Sequence, residues 1–366
     1  MAQHIFSVAQ IAQALGADFY GDGALKIVSV AEPQSAARDD LAMATDASYA
    51  DKLSDGQAQA AVLWEGADWQ ALGLKAAIVP KRPRYAMSGL TALLDPGQGH
   101  APGVHSSAVI DPTAVIEENV TIGAFTVVEA GAHIGKDSII GPQCFIGWNA
   151  RLGARALLRE QTSIGARVTI GTDFKAQPGA RIGGDGFSFV TQEKSAIEAV
   201  RETLGDQQDT QAQGWTRIHS LGAVTIGDNV DVGAVVTIDS GTIRDTYVGH
   251  GCKIDNLVHI GHNAVIGNDC LICGHSAVAG STRLGNNVVL GGMTGLSDNI
   301  TIGDRVITGG GTKVLSSIPA GRVMLGYPAT KMDRQIEIFK SMRRLPRMMA
   351  DIAALKKAVF KQDRSD

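Results

Sequence analysis

Aromatic residues make up only 5% of the 366-residue chain, and charged residues only 19%. Few large aromatics beside many glycines and small aliphatics argue against a helical bundle and suit a thin, regularly turned β structure. The formal net charge of −4 gives no reason to expect nucleic acid as a partner. The first residues, Met1 to Phe6, lack a basic stretch followed by an apolar one, so no secretory signal is expected. No apolar run approaches the length of a membrane span, which leads to the expectation of a cytoplasmic protein. Cysteine is scarce, with four residues at Cys144, Cys252, Cys270 and Cys273. The last two form a lone CxxC, a weak zinc or redox signal without a second pair.

Glycine, by contrast, is abundant at 44 residues, and the middle of the chain has a period of six. Stepping by six from Val104 meets Ile110, Ile116, Ile122, Val128 and Ile134, and continues to Ile182 with Ala176 as the one small residue. The series returns as Ile226, Val232 and Ile238, slips by four residues, and resumes from Val248 to Val314. The position two before each aliphatic is small or β-branched, as at Ala108, Thr126, Cys144, Cys252 and Cys270. Side chains two apart on a strand share a face. Both positions therefore point inward, and the CxxC becomes mainly a matter of packing. The position after the aliphatic is often glycine, as at Gly123 and Gly267, which is expected to permit a sharp turn. The pattern predicts a mainly β protein built on a parallel β-helix. The repeat resembles that of hexapeptide proteins, which implies a left-handed helix of triangular section with residues eighteen apart stacked in columns.

Three segments depart from the period. Residues 1–99 are predicted to form a small α/β domain. It contains a helix over Phe6–Leu15 capped by Ser7 and strands at Ile27–Val30, Ala60–Leu63 and Ala76–Val79. Residues 100–318 are assigned to the β-helix, interrupted by an excursion at 183–217 that opens with Asp185-Gly186-Phe187. Residues 319–366 are expected to form two helices separated at Pro346. Basic residues outnumber acidic ones between Lys331 and Arg364, which fits a solvated face or a dock for an acidic protein.

The densest polar cluster runs from Asp255 to Asn263. Val258 and Ile260 fall in inward positions, whereas His259 and His262 do not. Each histidine is therefore either an exposed surface residue or a functional one. The nominal register sets Arg244 one coil before His262 and Gly280 one coil after it. An imidazole beside a bare backbone amide suits acyl transfer: the ring takes a proton from an amine or hydroxyl, and the amide stabilises the oxyanion. No Ser-His-Asp or Cys-His constellation is evident, which favours direct transfer over an acyl-enzyme.

Three motifs, Asp255-Asn256 through Ile260 to His262-Asn263, Asp185-Gly186-Phe187 and Thr237-Ile238-Asp239, together resemble those of the UDP-3-O-acylglucosamine N-acyltransferases of lipid A biosynthesis. The resemblance covers essentially the whole chain. It implies transfer of an (R)-3-hydroxyacyl group from the phosphopantetheine thioester of acyl carrier protein to the 2-amine of UDP-3-O-acylglucosamine, with no metal or other cofactor. His262 would be the general base, the Gly280 amide would face the thioester carbonyl, and Asp255, Asn256, His259 and Asn299 would bind substrate. Tyr49 in a uridine-binding N-terminal domain would grip the uracil, the basic tail would dock the carrier protein, and the enzyme would be a homotrimer. The chain departs from the family pattern in four places. Asn299 stands where a second histidine is common, Met43 nearest the usual uracil-stacking phenylalanine, Asp46 where asparagine is common, and Ser240 where arginine is usual.

Two other enzyme readings compete. The O-acyltransferase of the same pathway shares the hexads but lacks a domain like residues 1–99. A hexapeptide zinc enzyme of the carbonic anhydrase type would use His259, His262 and His275. A non-enzymatic scaffold is the third alternative.

Overall fold

The structure is a computed structural model that describes residues 5–203, 205–326 and 331–362. Met1–His4 at the start, and Arg364 in the basic tail, lie outside the described residues. The chain divides into two compact units, Met1–His100 and Ala101–Asp366.

The first unit is an α/β layer. Its five-stranded sheet has the order Asp18–Gly21, Ala76–Val79, Ala60–Val62, Asp40–Met43, Ser29–Ala31, with only the first pairing antiparallel. Alternation along the strands separates two cores: Ala60, Val62 and Ile78 pack with Val8, Ile11 and Leu90, while Ala61, Leu63 and Ala77 pack with Leu53 and Leu74. The expected N-terminal helix begins at Val8, because Phe6–Ser7 pairs antiparallel with Lys26–Ile27. Ser7 and Gln10 close a capping box at its start. The strands Asp18–Gly21 and Asp40–Met43 and the helix Pro83–Leu94 were not legible in the sequence.

The second unit is a three-faced parallel solenoid. Two faces have ten strands and one has nine, most of them two residues long. Paired positions are eighteen residues apart through the regular coils, as at Thr126 and Cys144. Every hexad aliphatic from Ile122 to Ile182 is buried. So are Cys144, Cys252 and Cys270, and burial pushes the Cys144 thiol up to about 11. At Ala176 the core closes by exchange: the inward residue two positions earlier, small or β-branched in the other coils, is Phe174, and both are fully buried.

The corner glycines have a different cause from the one expected. Gly123 is not among the positive-φ residues. Instead, a Cβ on it would lie 2.6 Å from the Pro142 nitrogen of the next coil, so glycine allows close stacking of backbones. The left-handed residue of each corner stands two positions later, and asparagine or aspartate often fills it, as at Asn119 (φ 57°) and Asp137 (φ 59°).

Two interruptions shape the site. The chain leaves the coil after Gly184, forms the hairpin Phe189–Val190 with Thr216–Arg217 and the helix Ala196–Thr203, and rejoins at Val224. The four-residue slip then makes one coil longer: Thr237 pairs with His259 at a spacing of 22. Beyond the solenoid, one helix runs continuously from Met332 to Gln362 through Pro346, correcting the expected break. Proline removes one helical hydrogen bond. The helix is exposed there, so water can satisfy the freed carbonyl. No helix among the described residues is long and apolar enough to cross a membrane.

Candidate active site

His262 lies two residues beyond the buried Ile260, where the chain turns a corner, and it is half-buried. Asn263 takes the left-handed corner position at φ 60°. The long coil corrects the nominal register: Ile238 pairs with Ile260, so the residue one coil before His262 is Ser240, not Arg244. Arg244 instead reaches back, its Nη2 donating to the Asn263 carbonyl at 2.7 Å. On the other side the register holds, with Ile260 paired to Val278 and Gly280 one coil after His262.

Close packing explains both glycines at the ring. A Cβ on Gly280 would lie 2.8 Å from His262 Nε2. A Cβ on Gly186 would lie 2.6 Å from His262 Cβ and 3.1 Å from the Ser240 carbonyl. The excursion motif Asp185-Gly186-Phe187 is thus laid against the histidine, and Ser220 Oγ accepts the Gly186 N–H at 3.0 Å. The Gly280 N–H has no hydrogen-bond partner among the described residues. An open ring nitrogen and an unengaged amide therefore stand on adjacent coils.

A second acidic–basic group flanks them. His259 projects outward, with Nδ1 2.9 Å from Thr237 Oγ1 and Nε2 3.9 Å from Asp239 Oδ2. The Asp239 side chain is only 15% exposed. Burial raises its pKa above the ordinary carboxylate value, while the nearby His259 and His262 pull it back. Asp239 and Asn263 were not among the residues picked out as candidate site residues. The signals that could have found them are the Thr237-Ile238-Asp239 motif and the slip that follows it.

The remaining candidates are dispersed. Asp255 and Asn256 stand at the opposite end of the strand His259–Ile260 from His262. There Asp255 accepts the backbone N–H groups of Gly274 (2.9 Å) and Asn256 (2.7 Å), and Asn256 Oδ1 accepts that of Ala234 (2.6 Å). Asn299 is exposed one coil beyond Gly280, its backbone N–H bonded to the Gly280 carbonyl at 3.1 Å and its side chain to Asp298. In the first unit, Tyr49 ends the short helix Ala47–Tyr49, with Lys52 Nζ 5.3 Å from its ring centre. Asp46 caps that helix through the Ser48 N–H, which holds its carboxyl below the usual value. Met43 is half-buried in the strand before it. Among the described residues, no three His, Cys, Asp or Glu side chains are grouped to hold a metal ion.

A three-faced solenoid of hexads is the architecture of the hexapeptide-repeat proteins, a class that includes acyltransferases. The family model for the bacterial transferase hexapeptide (six repeats) matches residues 113–147 and 245–280. The UDP-3-O-acylglucosamine N-acyltransferase of Ruegeria pomeroyi is 64% identical over 361 residues, 99% of both chains. That of Paracoccus denitrificans is 58% identical over 355 residues, 97% of both. Among solved structures, the Arabidopsis UDP-N-acetylglucosamine acyltransferase matches with a TM-score of 0.50 at 19% identity, covering 61% of this chain and 71% of that one, a likeness of fold. The chain belongs to the UDP-3-O-acylglucosamine N-acyltransferase family, and it is an N-acyltransferase.

Proposed function

We propose that the protein transfers an (R)-3-hydroxyacyl group from acyl carrier protein to the 2-amine of UDP-3-O-acylglucosamine in lipid A biosynthesis, as a cytoplasmic homotrimer. One observation carries this reading: His262 turns Nε2 toward Gly280, whose N–H is unengaged. Nε2 takes a proton from the amine as its nitrogen attacks the thioester carbonyl. The oxygen becomes negative and accepts the Gly280 N–H. Collapse forms the amide and breaks the C–S bond, and the proton on His262 passes to the departing sulfur.

Asp255, Asn256, His259 and Asn299 are assigned to substrate binding. Asp255 and Asn256 stand away from His262 within one chain, which fits a trimer with sites between neighbouring solenoids. Tyr49 and the N-terminal unit are assigned the uracil. The long helix bears Arg334, Lys340, Arg343, Arg344 and Arg347 on exposed positions, a complement to an acidic carrier protein. The match to the Ruegeria pomeroyi N-acyltransferase extends over 361 residues, 99% of the chain, and so takes in nearly all of the N-terminal unit, which disfavours the O-acyltransferase reading. The test is transfer from 3-hydroxyacyl carrier protein to each of the two sugar nucleotides. Acylation of UDP-3-O-acylglucosamine at nitrogen supports the assignment; acylation only of a sugar hydroxyl overturns it.

A further inference from the structure

The long coil spends its surplus on one side chain. The segment between Asp239 and Thr246 holds the extra residues, and much of its polar bonding converges on Asn263. The Thr242 N–H and hydroxyl lie 3.1 Å and 2.9 Å from Asn263 Oδ1. Asn263 Nδ2 donates to the Arg244 carbonyl at 3.3 Å, and its backbone N–H to Thr246 Oγ1 at 2.8 Å. Asn263 is 9% exposed. Asn119, Asn229, Asn287 and Asn299 occupy the same left-handed corner position and are exposed. Corner geometry alone therefore does not account for the grip on Asn263.

We infer that this insertion is a device for the general base: it holds Asn263 as a positioning residue that fixes the tautomer and aim of His262. The inference rests on the proposed role of His262. A backbone N–H can only donate, so the Asn263 atom facing Thr242 N is the amide oxygen. A carbonyl can only accept, so the atom facing Arg244 O is the NH2. The backbone thus dictates the amide orientation at both ends. Oδ1 then stands 2.9 Å from His262 Nδ1. An oxygen at that distance requires a proton on Nδ1, which leaves the lone pair on Nε2, the atom turned to Gly280. The other tautomer would set two lone pairs against each other.

Three variants test this: Asn263→Ala, the isosteric Asn263→Asp and Thr242→Val. The charged groups around the ring are Asp239 and His259 on the coil before it, Arg244 on the Asn263 carbonyl, Asp185 on the excursion and Asp298 beyond Gly280. All are unchanged in the three variants. Asn263→Ala is expected to lower kcat about 10–100-fold with little change in KM, the cost of a misaimed base. Asn263→Asp still accepts from Nδ1, but its carboxylate favours the charged ring. The base works neutral, so the acid limb of kcat/KM moves to higher pH, by about one unit. A merely structural asparagine would lower activity without moving that limb. Thr242→Val keeps the backbone donor and should stay within a few-fold of wild type with the limb in place.

Wild-type kcat and an unmoved acid limb in both Asn263 variants would overturn the inference. If the wild type transferred no acyl group, the functional reading would fail, and nitrogen-15 histidine spectra would test the clamp alone. A single Nδ1–H tautomer at His262 that becomes a mixture in Asn263→Ala supports it. An unchanged tautomer contradicts it.

Discussion

A methyl group on Gly280 would lie 2.8 Å from His262 Nε2, a distance that an unmoved ring cannot accept. Gly280→Ala is therefore expected to push the imidazole aside and lower turnover about 100-fold. The space is at the corner surface rather than in the core, so the melting temperature should stay close to wild type. Activity assays with thermal unfolding check both parts. His262 stood out as a candidate from the hexad register, because that register excludes it from both inward positions. Asn263 was visible only as the end of a motif. Its importance depends on hydrogen bonds to residues about twenty positions earlier, which no local pattern encodes.

Among the elements, the repeat was legible wherever each hexad buries the same two positions. It failed to show where the extra residues of the long coil bulge. Four added residues shift the phase equally at any corner, so counting placed Arg244 where Ser240 stands. The paired exchange at Phe174 and Ala176 makes a packing test. Phe174→Ala alone should cost about 3–5 kcal/mol by leaving a cavity. Ala176→Leu alone should cost about 1–3 kcal/mol by overpacking. The double variant should cost less than the two summed, measured by denaturant unfolding.

A further element-scale expectation concerns the splice beneath the excursion. Asp228 Oδ1 accepts the Thr172 N–H at 2.7 Å and its hydroxyl at 3.1 Å across 56 residues. The Thr172 N–H chiefly holds the Asp228 carboxyl below its ordinary value, with His250 also lowering it. A depressed carboxylate stabilises the fold above its unfolded pKa, and that stability is lost as pH falls through the folded value. Asp228→Asn should therefore lower the melting temperature at neutral pH and lose less on acidification than wild type. Thermal unfolding as a function of pH reads both effects.

At the scale of the whole molecule, only the second of the two compact units, Ala101–Asp366, carries the hexad, and the expectation of an α/β domain over residues 1–99 came from the absence of that repeat. The tail was foreseen as helical but not as one helix, since Pro346 ordinarily argues for a break and exposure relieves its cost. Purified enzyme is expected to contain no stoichiometric zinc and to keep its activity after chelation. Metal analysis with an assay in chelator checks this, and zinc-dependent turnover would restore the carbonic anhydrase comparison. The central claim is that His262 is the base of N-acyl transfer. Its most direct test is transfer from 3-hydroxyacyl carrier protein to UDP-3-O-acylglucosamine by wild type and His262→Ala. The expected result is an active wild type and a folded variant slowed by about 100-fold or more. Near-normal turnover by the folded variant would contradict it.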